Sequence, residues 1–117
     1  MINFSVRLSG PRFEPQVLIG IPNYDISSII SKGLMTRAGS VVDYGAFSIP
    51  VESLLDAANL VRIVIDRVGR SSVESIVIEL LYEYNGQCNM ELNSDEIALI
   101  HDLGASLAIT CYEESNN

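Results

Sequence analysis

Residues 50–68 have the sequence PVESLLDAANLVRIVIDRV, the clearest helical pattern in the chain and the one that decides its fold class. The apolar residues fall on one broad side of a helical wheel, and the acidic and amide residues fall on the other. Pro50 suits a first helical turn and Gly69 suits the position after the last one. Ile63 falls within the polar stripe, where it is either a single exposed isoleucine or part of a contact surface. The stretch predicts a long amphipathic helix that packs on a sheet.

Strands are predicted on both sides of this helix. Ile2–Ser9 alternates apolar and polar residues, the period-two pattern of a half-buried strand. Val41–Ile49 is predicted to be another strand, with Gly45 as a candidate bulge. Ser75–Tyr84 is predicted to be a third, because its alternate residues are apolar.

The stretch between the first strand and Val41 is harder to interpret. Pro15–Ile19 predicts a short helix, since proline suits its first turn and Gly20 suits its C-terminal cap. Residues 21–40 are interrupted by proline and glycine, and only a short strand over Ser28–Ser31 is predicted there.

The C-terminal third predicts a hairpin, a helix and a last strand. Asn85-Gly86 is a strong type I′ turn signal, so Gln87–Leu92 is predicted to return as a strand beside Ser75–Tyr84. Asn93 and Glu96 have the spacing of a capping box at the start of a helix. This helix ends at Gly104, Ala105–Tyr112 follows as a strand, and three apolar residues of the helix are expected to be buried: Ile97, Ile100 and Leu103.

The predicted element order is β-α-β-β-α-β followed by β-α-β. The first six elements match the ferredoxin-like split βαβ unit, so we expect an α+β fold. Its sheet should be mainly antiparallel, with the helices on one face. With 117 residues the chain is expected to form one domain, 1–117, in which residues 113–117 are a polar tail.

Residues 82–92, YEYNGQCNMEL, resemble the late hairpin of a bacterial family catalogued as domain of unknown function 4279. Asp95–Leu103 and the following Gly104–Leu107 resemble that family's last helix and strand. Val6–Gly10 and Lys32-Gly33 are similar in placement near the start of the chain. The resemblance implies the same kind of fold and brings no established activity.

Composition indicates a soluble, cytoplasmic protein. Hydrophobic residues make up 48% of the chain, which is enough for a core without disulfides or metal. No apolar run reaches the roughly 18–20 residues that cross a bilayer, and the N-terminus does not resemble a signal peptide. Cys88 and Cys111 are therefore expected to stay reduced.

Charge is distributed unevenly along the chain. The net charge is −8, and every Lys and Arg lies before residue 71. The last 47 residues therefore hold nine carboxylates and no Lys or Arg. An acidic half of this kind argues against nucleic acid and anionic membranes as partners, because both attract basic proteins.

Catalytic patterns are weak, and the chain is predicted not to be an enzyme. His101 is the only histidine and lacks ligands or triad partners at suitable spacing, so no metal is expected. A Cys88–His101 nucleophile pair has no surrounding motif to support it. No nucleotide or dinucleotide fingerprint is present, and no cofactor is expected.

The acidic half leads to the functional hypothesis. Carboxylates on the predicted hairpin and the following helix would form a docking surface for a basic protein: Glu79, Glu83, Glu91, Asp95 and Glu96. A bacterial immunity protein that neutralises a basic toxin such as a nuclease would fit this pattern. A solvated face that only keeps the chain soluble is the simpler alternative. A small-ligand-binding or oligomeric regulatory domain is another, with Tyr82 and Tyr84 either lining a pocket or packing in the sheet.

Overall fold

The computed structural model describes residues 2–18, 28–30, 32–33, 35–87 and 89–114. These residues form five strands, two α-helices and two short 3-10 helices. The strands are β1 Ile2–Gly10, β2 Ser28–Ile30, β3 Gly45–Val51, β4 Ser75–Tyr84 and β5 Ser106–Glu113. The α-helices are α1 Leu54–Val68 and α2 Ser94–Asp102, and the 3-10 helices are Pro15–Leu18 and Arg70–Ser72.

The strands form one mixed sheet in the order β2-β3-β1-β4-β5. β1 lies between β3 and β4 and is antiparallel to both. β3, α1 and β4 therefore form a split βαβ unit around β1. β5 is parallel to β4, so α2 is the crossover of a second βαβ unit. The fold is α+β with a mostly antiparallel sheet and is consistent with a ferredoxin-like core, as the sequence predicts.

The hydrophobic core lies on one face of this sheet. Alternate residues of the central strands point into it, among them Val6, Ile49 and Ile78. Both helices contribute to the same cluster, through Leu60 of α1 and Ile100 of α2. The helices therefore share one face of the sheet, and the opposite face carries no helix of the described part of the chain.

The long helix begins four residues later than its sequence predicts. β3 continues to Val51, which pairs with Phe4 of β1, and this extended backbone includes Pro50. Ser53 is the N-cap, because its hydroxyl accepts a hydrogen bond from the Asp56 N–H at 3.1 Å. Ile63 is half-buried and packs against the core, so the prediction of a single exposed isoleucine is wrong, and the alternative of a contact surface stays a prediction.

Gly45 begins β3 opposite Gly10 and is not a bulge. The chain before it explains the glycine, because Phe13 passes directly over its α-carbon. Phe13 is buried with its ring 5.7 Å from that of Phe47. The predicted short helix is a 3-10 helix over Pro15–Leu18, and Ile19 and Gly20 lie outside the described residues.

The N-terminal boundary predicted for β3, at Val41, is also wrong. Val41 forms only an isolated bridge with Met35, and the regular ladder with β1 starts at Gly45. The weak strand predicted from Ser28 is present as β2, while Ser31 lies outside the described residues.

The predicted hairpin after Tyr84 does not form. The described residues between β4 and α2 contain no strand, and the Tyr82 hydroxyl donates to the Asn89 carbonyl at 2.9 Å. The physical reason is that both edges of β4 are already occupied, by β1 on one side and by β5 on the other. Part of the predicted tail is ordered as well, since Glu113 ends β5 and the Glu114 N–H donates to the Tyr84 carbonyl at 2.7 Å.

The capping box of α2 is confirmed. The Asn93 side chain accepts from the Glu96 N–H at 2.8 Å, and the Glu96 carboxylate accepts from the Asn93 N–H at 3.1 Å. Ile100 and Leu103 are buried as predicted, but Ile97 is 56% exposed. Residues three apart on a helix are displaced by about 60° around its axis. The buried stripe passes through Ile100 and Leu103, so Ile97, displaced in the other direction from Ile100, lies at the edge of the stripe.

Candidate functional site

The topology brings many chain segments to one end of the sheet. The register places Val51 of β3 beside Phe4, Tyr82 of β4 beside Ile2, and Glu113 of β5 beside Tyr84. Both α-helices start at this end, because each follows a strand that finishes there. We call it the acidic end, for the residues given next.

Among the described residues, eight carboxylates lie in the strand ends, loops and first helical turns of the acidic end, and none of the seven Lys and Arg residues does. The opposite end, which we call the balanced end, carries five described acids (Glu14, Asp43, Asp66, Glu74, Asp102) and five bases (Arg12, Lys32, Arg37, Arg67, Arg70). The excess negative charge of the described residues is therefore concentrated in one place. The carboxylates of the acidic end are Glu52, Asp56, Glu83, Glu91, Asp95, Glu96, Glu113 and Glu114.

The two helix N-termini help to hold this charge. Asp56 lies in the first turn of α1, where its carboxylate accepts the Glu52 N–H at 3.2 Å. Asp95 and Glu96 occupy the first turn of α2. The partial positive charge of a helix N-terminus stabilises carboxylates by about 0.3–1 kcal/mol each at exposed positions. This stabilisation partly offsets the repulsion among the carboxylates of the acidic end.

Glu79 is separated from the acidic end. It lies near the middle of β4 on the face without helices, 3.0 Å from the Arg7 guanidinium, and it accepts from the Ser5 hydroxyl at 3.4 Å. The other four predicted site residues lie at the acidic end. Glu52 and Asp56 were not predicted, because a division of the chain at residue 71 cannot show that α1 and α2 start side by side.

Glu83 of β4 and Tyr112 of β5 are paired neighbours at the acidic end of the sheet. Their side chains lie on the face without helices, and the Tyr112 hydroxyl donates to the Glu83 carboxylate at 3.0 Å. This hydrogen bond, with smaller contributions from desolvation and from the charges of Glu83 and Glu114, raises the pKa of Tyr112 above its ordinary value.

Apolar side chains accompany the carboxylates. Ile2 is 44% exposed and Leu55, in the first turn of α1, is 61% exposed. Tyr82 and Tyr84 are half-buried on the face of the sheet that the helices cover, which we call the helix face, and their ring centroids are 6.1 Å apart. Exposed apolar groups within a charged rim are the usual composition of a protein-binding surface.

His101 is the described member of the pair considered for chemistry. His101 is exposed in the last turn of α2, at the end opposite Glu113, and Cys88 lies outside the described residues. Within the described ranges, no group of three His, Cys, Asp or Glu residues is placed to hold a metal ion. A cavity of about 660 Å³ lies at the balanced end, lined by Pro11, Arg12, Phe13, Glu14, Gln16 and Lys32.

Comparisons with protein-family models, with curated proteins and with solved structures gave no match. Membership of the family resembled by residues 82–92 therefore stays a prediction. Among the helices of the described residues, none has the length and apolar character needed to cross a membrane.

Proposed function

We propose that the protein is a non-enzymatic binding module whose acidic end receives a basic protein. More specifically, we propose a bacterial immunity protein that acts in the cytoplasm and neutralises a basic toxin such as a nuclease. The observation that carries the proposal is the gathering of eight carboxylates, without one Lys or Arg, at the end where both helices start.

The arrangement suits recognition of a cationic cleft. Carboxylates held at fixed spacing can occupy the positions that phosphates of a nucleic acid would take in a nuclease. Such a surface steers a basic partner and raises association rates by about 10- to 1000-fold at low salt. The exposed Ile2 and Leu55 would add apolar contact after the encounter.

The test is co-expression with the product of the gene immediately upstream, followed by inhibition and binding measurements on the purified pair. We expect co-expression of the chain to restore the growth of cells that the upstream product alone inhibits. The purified chain should also inhibit that product's activity. Failure to bind the upstream product, or binding without inhibition, would contradict the role as an immunity protein.

A matched pair of charge-reversal variants tests the mechanism separately. The triple variant Glu52→Lys, Glu91→Lys, Asp95→Lys changes the acidic end, and Glu14→Lys, Asp43→Lys, Glu74→Lys makes the same change of net charge at the balanced end. The first should lower the association rate by about tenfold or more at low salt, with the difference shrinking as salt is raised. Equal losses in the two variants would rule out the acidic end as the docking surface.

A second candidate function is small-ligand binding, and the cavity beside Arg12 and Lys32 is the observation that favours it. The two cations would suit an anionic metabolite. Thermal stabilisation of the wild type by such a compound, lost in an Arg12→Ala, Lys32→Ala variant, would support this function.

A further inference from the structure

β5 is an edge strand that lacks the usual protection. It lies last in the sheet, with β4 on one side, and no described residue pairs with its other side. Seven of its eight residues are exposed. Residues 105–112 contain no charge and no proline, whereas protected edges carry lysine, proline or a bulge. We call the outer side of Ser106–Glu113 the free edge.

The backbone groups of the free edge can be assigned. The Glu114 N–H donates to the Tyr84 carbonyl, and successive residues of a strand direct their N–H and C=O groups to alternate sides. The even-numbered residues of β5 therefore face β4. The odd-numbered residues, Leu107, Ile109, Cys111 and Glu113, present their backbone groups to the free edge.

We propose that the free edge pairs with the free edge of a second copy of this chain, antiparallel about a twofold axis through Ile109. Ile109 then lies opposite Ile109, and Leu107 lies opposite Cys111, so apolar side chains meet on the helix face. Ala108 lies opposite Thr110 on the other face. The odd-numbered residues exchange about six backbone hydrogen bonds across the axis, and the two sheets become one sheet of ten strands.

Charge favours a second copy in this orientation. A cation lies near the start of the edge, because the Arg70 guanidinium, which donates to the Val73 carbonyl, lies 3.1 Å from the position that a side-chain carbon on Gly104 would take. It has Glu113 and Glu114 at its end. Antiparallel pairing sets Glu113 of one copy opposite Ala105 of the other, beside that copy's Arg70. A parallel arrangement would instead place the two Glu113 side chains about 5 Å apart.

The antiparallel arrangement also separates the like charges of the two copies. Glu113 in one copy lies eight residues along the edge from Glu113 in the other, or about 26 Å. This is about three Debye lengths at physiological salt. Repulsion between the two Glu113 side chains therefore does not oppose the pairing at close range.

The first test is sedimentation velocity on the full chain and on two lysine variants. Ile109→Lys adds a charge to the free edge, where the side chain is 46% exposed, and Leu55→Lys adds the same charge at a more exposed leucine away from it. We expect a concentration-dependent dimer, a dissociation constant raised at least about tenfold by Ile109→Lys, and less than a twofold change for Leu55→Lys. A wild type that stays monomeric at 200 µM, taken as roughly the upper range for a weak specific pair, would overturn the proposal.

Cysteine cross-linking tests the register without relying on a destabilising variant. Both native thiols are replaced by serine, and cysteine is then placed at position 109 or 110. Under mild oxidation Ile109→Cys should form a disulfide dimer, because opposed residues have Cα atoms within the disulfide range. Thr110→Cys should form little. The reverse result, or equal cross-linking of both, would overturn the proposed axis.

A charge swap tests the orientation. Arg70→Glu and Glu113→Lys should each weaken the dimer severalfold, and the double variant should recover most of the loss, because both pairs across the axis are restored with opposite sign. Additive losses in the double variant would contradict the antiparallel pairing. None of these measurements uses a basic partner, so the outcome is independent of the proposed function.

Discussion

Gly45 provides the sharpest test of how the first strand, β3 and the intervening segment pack together. A side-chain carbon added at Gly45 would overlap the Phe13 carbonyl oxygen and would lie 2.8 Å from Pro15 Cδ. The obstruction is mostly backbone, which cannot rotate away as a flexible side chain can. Gly45→Ala must therefore push the segment around Phe13 outward.

The expected cost follows from two opposing effects. Overpacking that forces backbone shifts costs about 1–3 kcal/mol, and here the shift also disturbs the buried contact between the Phe13 and Phe47 rings. Alanine in the unfolded chain offsets about 0.4–1 kcal/mol of this, because it has fewer accessible conformations than glycine. We expect Gly45→Ala to lower the free energy of unfolding by about 1.3 kcal/mol, the difference between the midpoints of these two ranges, against a total of roughly 6–18 kcal/mol for a domain of this size.

Urea denaturation followed by circular dichroism measures this cost, with an unchanged dependence on urea showing that the unfolded state is comparable. A double-mutant cycle with Phe13→Leu gives the mechanism, because loosening the Phe13 anchor should let the segment move and reduce the cost of Gly45→Ala by about 1 kcal/mol. A cost below about 0.5 kcal/mol for Gly45→Ala alone would refute the close approach of Phe13 to this glycine.

Two further predictions test the helix layer and the edge of the sheet. Leu60→Ala should cost about 2–5 kcal/mol, because Leu60 is fully buried, whereas Leu55→Ala in the same helix should cost less than about 1 kcal/mol; similar costs would show that α1 is rotated. Glu83→Gln should lower the pKa of Tyr112 towards its ordinary value, since the hydrogen bond to Glu83 is the main cause of its elevation, and NMR titration of the tyrosine ring carbons detects the change. Because the folded pKa is the higher one, this contact stabilises the fold below the ordinary pKa, and its contribution is lost as pH rises through the folded value.

Periodicity in the sequence predicted most elements of the fold and their burial. The alternation in Ile2–Ser9 and Ser75–Tyr84 and the helical stripe predicted over residues 50–68 each leave one hydrophobic face that must pack on another element. The element boundaries that failed depend on tertiary partners. Gln87–Leu92 has a strong turn before it, yet it cannot pair with β4 once β5 has taken that edge.

The candidate site was predicted in part for a related reason. The excess of acids after residue 71 is visible in the sequence, but membership of a surface depends on which strand end a residue occupies. Glu79 belongs to the acidic half of the chain and is paired with Arg7. Glu52 precedes that half and lies at the acidic end because α1 starts beside α2.

The acidic end and the free edge share Glu113 but otherwise face in different directions, so they are compatible with each other. The free edge runs along the strands, and the acidic end lies where β3, β4 and β5 finish. An antiparallel pair therefore directs its two acidic ends away from each other, and their carboxylates other than Glu113 remain open to a partner. If both proposals hold, the complex contains two copies of this chain and two of the basic protein, and Ile109→Lys should convert it to a one-to-one complex with the same affinity per site. Light scattering on the complex measures that ratio, and a loss of partner binding in Ile109→Lys would show that the two surfaces are not separate.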